Sequence, residues 1–194
     1  MSAPSENVRT FIAIYPDTRV RSELQRLQSE LKLGEAVRWV RPDQLHLTLK
    51  FLGSIAAESI APLEASLRRG CSTLKPFTLR LEAVGAFPNQ RKPKIIWAGL
   101  GGDLTELKEL QARIDYECIT LTGQEPERDF APHLTLGRTR ESHYRKLREL
   151  GETLSKTKVV PSGEWTVREL FLMRSDLSPK GAMHSVLATI KLGA

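Results

Sequence analysis

The chain reads as an α+β protein built from two similar halves. Three observations predict this. The tetrapeptide HLTL stands at 46–49 and again at 133–136. Short strand-like apolar runs alternate with amphipathic helices. The order strand, helix, HLTL strand, helix occurs twice. From Phe11 to Ile95 is 84 residues, from Asp17 to Asp103 is 86, from His46 to His133 is 87, and from Ala57 to Glu141 is 84. Intervals this even mark a duplicated supersecondary unit. A solenoid would need three or more shorter repeats. No linker rich in Gly, Ser or Pro divides the halves, so 1–194 is expected to be a single domain of two pseudo-symmetric lobes.

In the first unit, VRTFIAIY (8–15) is a strand that Pro16 ends. Asp17 caps a helix whose apolar face is Val20, Leu24, Leu27 and Leu31, and Gly34 stops it. AVRWV (36–40) is a short strand, followed by the first HLTL strand. A helix over 56–70 then buries Ile60, Leu63 and Leu67. In the second unit, KIIWAGL (94–100) is a strand. Asp103 caps a helix, and Glu106 three residues on completes a capping box. Leu107, Leu110, Ile114 and Leu121 form that helix's apolar face, and Gly123 ends it. After the second HLTL strand comes a polar helix over 141–154, with His143 on its surface. FTLRLEAVGAF (77–87), EWTVRELFLMRS (164–175) and MHSVLATIKL (183–192) alternate as strands.

Composition narrows the partners. No apolar run approaches the roughly 18 residues of a membrane helix, and the N-terminus has no signal-peptide pattern. Cys71 and Cys118 lack CxxC spacing and suit two small buried side chains in a reducing cytoplasm. Lys and Arg number 29 against 23 Asp and Glu, a net charge of +6 that favours RNA or nucleotide partners. Basic residues gather at 90–94 and 138–148. Without a heptad or an apolar arm, a monomer is the default.

The chemistry lies in the repeated motif. Strand residues i and i+2 share a face, so His46 and Thr48 project together while Leu45, Leu47 and Leu49 face the other way. His133 and Thr135 do the same against Leu134 and Leu136. A given tetrapeptide arises by chance about once in 10⁵ positions, and folding alone does not favour a polar pair here over Val or Ile. If the lobes pair about an approximate twofold axis, two His/Thr pairs face each other across a cleft. Histidine titrates near neutrality, so one imidazole can accept a proton from water and the other can donate one to a leaving oxygen. The hydroxyls can bind phosphate oxygens that gain charge. That set suits metal-free hydrolysis of a phosphodiester. A metal centre is the competitor, but two histidines are too few ligands. Attack by Thr48 or Thr135 lacks an acidic partner within the motif to orient the histidine.

These paired HxTx motifs resemble the two-histidine (2H) phosphoesterase superfamily. Within it, VRWVRPDQLHLTLKFLG (37–53), FPNQRKPKIIWAGL (87–100) and FAPHLTLGRTR (130–140) look like the LigT-like RNA 2′,3′-cyclic phosphodiesterases, also described as 2′-5′ RNA ligases. The resemblance implies a bilobal fold with two antiparallel sheets lining a central cleft and helices outside. It implies hydrolysis of a terminal 2′,3′-cyclic phosphate to a 2′-phosphomonoester without a cofactor. His46 would be the proton donor and His133 the proton acceptor. Thr48, Thr135 and Arg138 would bind phosphate, and Phe51 would stack on the base. Ligation through a 2′–5′ linkage is the alternative activity, and a non-catalytic RNA- or nucleotide-binding module is the alternative class.

Two features stand apart. Phe51 and Arg138 each lie five residues after their histidine, and five is odd. A regular strand would turn both away from the site, so each needs a break or bulge near Lys50 and Gly137. His184 stands where the family usually has an aromatic residue.

Overall fold

The structure is a computed structural model that describes residues 6–31, 34–126, 129–140, 151–152, 154, 162–178 and 181–194. Nine strands and three helices are described: β1 (Asn7–Ile14), α1 (Thr18–Glu30), β2 (Val37–Trp39), β3 (Leu47–Ala56), α2 (Ile60–Cys71), β4 (Phe77–Phe87), β5 (Ile95–Gly102), α3 (Leu104–Thr122), β6 (His133–Thr139), β7 (Ser162–Val167), β8 (Glu169–Ser178) and β9 (Gly181–Lys191). The α+β class follows directly. The helix expected over 141–154, with His143, lies outside the described residues except for its last positions.

The described strands form one nine-stranded antiparallel sheet rather than the two sheets expected, in the order β7-β4-β5-β6-β3-β1-β8-β9 with β2 also paired to β6, because the Leu47–Leu134 pair joins β3 to β6. Exchanging the halves maps this order onto itself, with β6 matching β3 and β5 matching β1. Within this order the four-strand sets β7-β4-β5-β6 and β3-β1-β8-β9 meet between β3 and β6 at one residue pair, Leu47 opposite Leu134. Arg168 alone separates β7, at one end of the order, from β8, beside the other end. The path of strands must therefore curl back on itself. This is why the run expected as one strand over 164–175 is two: the chain leaves the edge of β4 and joins the edge of β1.

Curling encloses one large apolar core. Leu45, Leu47, Leu49, Leu134 and Leu136 are buried in it, as strand alternation predicts. A smaller cluster of Phe11, Ala13 and Met173 lies on the other face, below His46. α2 packs on α3 and β9, α3 on β3 and β4, and α1 on β7.

Local chemistry decides the helix ends. Asp17 caps α1, its Oδ1 accepting from the Val20 amide at 2.8 Å. Asp103 departs from the expected capping box: its Oδ2 accepts instead from the Thr78 amide of β4, at 2.8 Å. α3 ends as expected at Gly123, whose φ of 67° is left-handed. Its buried face also differs from expectation. Leu121 is exposed, while Gln111, Asp115 and Cys118 are buried beside Leu107, Leu110 and Ile114. α2 begins at Ile60 rather than 56, because β3 runs on to Ala56 and a short 3-10 turn follows. Cys71 and Cys118 are free and buried.

The Leu47–Leu134 junction is fully buried, so truncating it opens a cavity between the halves. Leu47→Ala should lower the unfolding free energy by about 2–5 kcal/mol in urea titration. A loss well under about 1 kcal/mol would mean that the halves do not pack there.

Candidate active site

The register at the junction arranges the motifs. With Leu47 opposite Leu134, His46 lies across from Thr135 and Thr48 across from His133. The leucines point into the core, so these four polar side chains share the opposite face. All four line one cleft of about 440 Å³.

Both imidazoles are held alike. His46 Nδ1 lies 2.6 Å from the Gln44 carbonyl oxygen, and His133 Nδ1 lies 2.8 Å from that of Ala131. A carbonyl only accepts, so each Nδ1 carries the hydrogen and donates it. Each Nε2 is then the nitrogen left to exchange protons. The tie runs two residues back in both motifs, through the turn that leads into the strand. Gln44 is itself anchored, its Nε2 donating to the Ala182 carbonyl at 2.7 Å. Aromatic rings flank each imidazole: Phe11 at 5.0 Å and Tyr15 at 5.5 Å from His46, and Phe87 at 5.1 Å from His133.

The odd spacing of Phe51 and Arg138 is resolved by two bulges. In β3, Thr48 pairs with Ala13 and Lys50 with Ile12, leaving Leu49 as the extra residue. Leu49 and Lys50 are both buried, so the alternation slips by one and Phe51 returns to the face of His46 and Thr48. In β6, Thr135 pairs with Trp97 and Gly137 with Ile96, leaving Leu136 extra. Leu136 and Gly137 both face inward, and Arg138 returns to the face of His133 and Thr135. Gly137 is required here: a Cβ would fall 2.6 Å from Val37 Cγ1 and 2.8 Å from the Trp39 ring of β2. Both Phe51 and Arg138 line the cleft, and Phe51 is 64% exposed.

Other lining residues carried no sequence signal of their own. Arg38 of β2 pairs in register with Arg138, and Arg9 lies on the same cleft wall as Phe11. Only the strand order brings them there. His184 of β9 also enters the cleft, its ring 5.4 Å from His46 and 4.8 Å from Phe11, with Nδ1 buried and without a hydrogen-bond partner. Among the described residues, no group of three or more His, Cys, Asp or Glu side chains is placed to hold a metal ion.

The two motif histidines differ electrostatically. Burial pushes the His46 imidazole down to about 4, the Gln44 carbonyl opposes this, and charge on His184 and His133 adds to it. Burial also lowers His184, against the Asp43 carboxylate. His46 is therefore neutral at pH 7. Between an ordinary pKa of 6.5 and its folded value of about 4, the unfolded chain binds a proton at this position that the folded chain does not. His46 thus contributes stability above pH 6.5, which is lost as pH falls through that window, by up to about 1.4 kcal/mol per pH unit. Imidazole NMR should give His46 a midpoint near 4 in the free protein. Urea titrations at pH 7 and pH 4.5 should show His46→Gln losing less stability on acidification than the parent. A midpoint at or above the ordinary value, with unchanged acid sensitivity, would contradict this.

Comparison with known proteins gives the family. The family model for LigT-like phosphoesterases matches residues 14–97 and 103–184, each stretch holding one HLTL motif. The RNA 2′,3′-cyclic phosphodiesterase of Methanothermobacter thermautotrophicus is 33% identical over 186 residues, covering 95% of this chain and 99% of that protein. The protein of the same name from Archaeoglobus fulgidus is 35% identical, covering 93% of this chain and 98% of its own. A crystal structure of a protein from Thermus thermophilus superposes with a TM-score of 0.77 at 29% identity, covering 95% of this chain and 98% of that one. E. coli LigT in complex with 3′-AMP also gives 0.77, at 25% identity, covering 97% of this chain and 100% of its own. Two HLTL motifs facing one cleft, in a fold shared along nearly the whole chain, have one explanation: the chain belongs to the LigT-like phosphoesterase family.

Proposed function

We propose that this protein hydrolyses the 2′,3′-cyclic phosphate of RNA ends or nucleotides to a 2′-phosphomonoester, using two histidines and no metal. One observation carries the reading. Two imidazoles, each with Nδ1 tied to a carbonyl and Nε2 left available, share one cleft face with two threonine hydroxyls. The names and architecture of its relatives support the same reaction.

In this reading the phosphate sits over the Leu47–Leu134 junction. His133 takes a proton from the attacking water, and His46 gives one to the departing 3′ oxygen. Thr48 and Thr135 donate hydrogen bonds to the non-bridging oxygens, and the Arg138 guanidinium offsets the charge that develops there. Phe51, largely exposed beside the cleft, offers its ring to the base. His46 must first gain a proton, and the substrate supplies the reason. A phosphodiester anion within about 4–6 Å raises a histidine pKa by about 1–3 units. The low value of His46 also supports a second reading with the two roles exchanged.

Ligation of RNA ends through a 2′–5′ linkage would run the same chemistry backwards. Water is in vast excess, which favours hydrolysis. A purely RNA-binding module has no need for an acid and a base together. We read 1–194 as one 2H phosphoesterase domain of two pseudo-symmetric lobes. No described helix is long and apolar enough to cross a membrane. The free buried thiols suit a reducing cytoplasm, and a monomer suffices for the site.

With 2′,3′-cyclic AMP as substrate, the product should be the 2′-phosphate, and EDTA should leave turnover unchanged. His46→Ala and His133→Ala should each lower kcat by at least about 10² while the fold is retained. A 3′-phosphate product, near-normal turnover in either variant, or EDTA inhibition reversed by added metal would overturn the assignment.

A further inference from the structure

We propose that Lys50 and Asp115 form a positioning pair, through which α3 of the second half holds Phe51 of the first half in place for the base. This rests on the reading of Phe51 as the stacking side chain.

Lys50 lies inside the β3 bulge, with Nζ 2.5 Å from Asp115 Oδ1 and 3.1 Å from the Glu125 carbonyl oxygen. Gln111 Nε2 donates to Asp115 Oδ2 at 2.7 Å. Two residues further along β3, the Leu52 carbonyl accepts from Gln124 Nε2. The residues on either side of Phe51 are thus both tied to α3 and the segment just after it, while Phe51 itself projects outward at 64% exposure. The ion pair is 2% and 7% exposed. Burying two charges is costly, and a well-packed apolar pair is often at least as stable. Stability alone therefore gives a poor account of it. A directional link that fixes where the strand slips its alternation gives a better one.

The counterpart bulge is braced from the opposite direction. Gln28 of α1, a buried residue of the first sequence unit, donates through Nε2 to the carbonyls of Leu136 and Val40, both at 2.9 Å. Leu136 is the extra residue of the β6 bulge. Gln28 and Asp115 are 87 residues apart, the same interval that separates His46 from His133. Each half's helix thus braces the motif strand of the other half. What differs is the chemistry: an amide holds the bulge that presents Arg138, and a buried ion pair holds the bulge that presents Phe51.

The test is the double variant Lys50→Met/Asp115→Leu, which removes the link without leaving an unpaired buried charge. Lys50→Met/Asp115→Asn, which also removes both charges but keeps an acceptor for Gln111 Nε2, is the milder variant should the first fail to fold. KM and kcat are measured on 2′,3′-cyclic AMP and on methyl riboside 2′,3′-cyclic phosphate, which has no base. A p-fluorophenylalanine placed at 51 reports the ring by ¹⁹F NMR with and without 2′-AMP. KM for 2′,3′-cyclic AMP should rise about 10-fold, the scale of one base–aromatic stack. Turnover of the base-free substrate should be unchanged, and adding Phe51→Ala should cost nothing more. The fluorine resonance should shift and lose its response to 2′-AMP. Equal losses on both substrates, additivity with Phe51→Ala, or an unmoved resonance would overturn the proposal. If Phe51→Ala alone leaves KM unchanged, the stacking assignment fails, and the resonance still decides whether the pair positions the ring.

Discussion

One backbone pairing, Leu47 opposite Leu134, organises the rest of the molecule. It joins the two halves at a point where both side chains are buried, so packing holds the junction together. Strand alternation then leaves no freedom for their neighbours: His46, Thr48, His133 and Thr135 must all face the other way. A slip of one residue in either strand would bury the imidazoles and expose the leucines. The same apolar contact that stabilises the fold therefore sets the register of the site.

That constraint would place only four side chains if both strands were regular. The bulges at Leu49 and Leu136 add a fifth and a sixth, Phe51 and Arg138, and they do so at equivalent positions of the duplication. Here the halves diverge. One presents an aromatic ring and the other a guanidinium, which suits a ligand with a base at one end and a phosphate at the other. A duplicated unit gives the matched histidines, and divergence within the same geometry gives the ligand a direction. The buried histidine adds a second asymmetry. His46 is pressed toward neutrality by burial and by His184.

Much of this is legible in the sequence, for identifiable reasons. The parity of a strand is a local property, so the shared face of each His/Thr pair follows from spacing alone. The repeat of HLTL and its spacing are legible because intervals are counted without knowing the fold. The odd spacing of Phe51 and Arg138 even points to the need for a bulge. The carbonyls that orient the imidazoles are not legible, because any residue has one and only the turn at Gln44 and Ala131 brings it near. Asp115 and Gln28 look like solvent-facing polar residues of helices, and only the packing of those helices across the halves buries them. Asp103 has the right neighbours for a cap, but β4 passes close enough to take its carboxylate. Arg38 gains its place through strand order, which no local pattern encodes.

The central claim is that the two histidines divide one proton transfer between them. The pH dependence of the residual kcat in His46→Ala and His133→Ala tests it most directly. A proton donor must be charged and a proton acceptor neutral. Without His46, only the acceptor's requirement remains, and kcat should rise with pH. Without His133, only the donor's remains, and kcat should fall with pH. Slopes of opposite sign in this sense support the assignment. Slopes in the reverse sense would exchange the roles, and slopes of the same sign in both variants would contradict a divided acid–base pair.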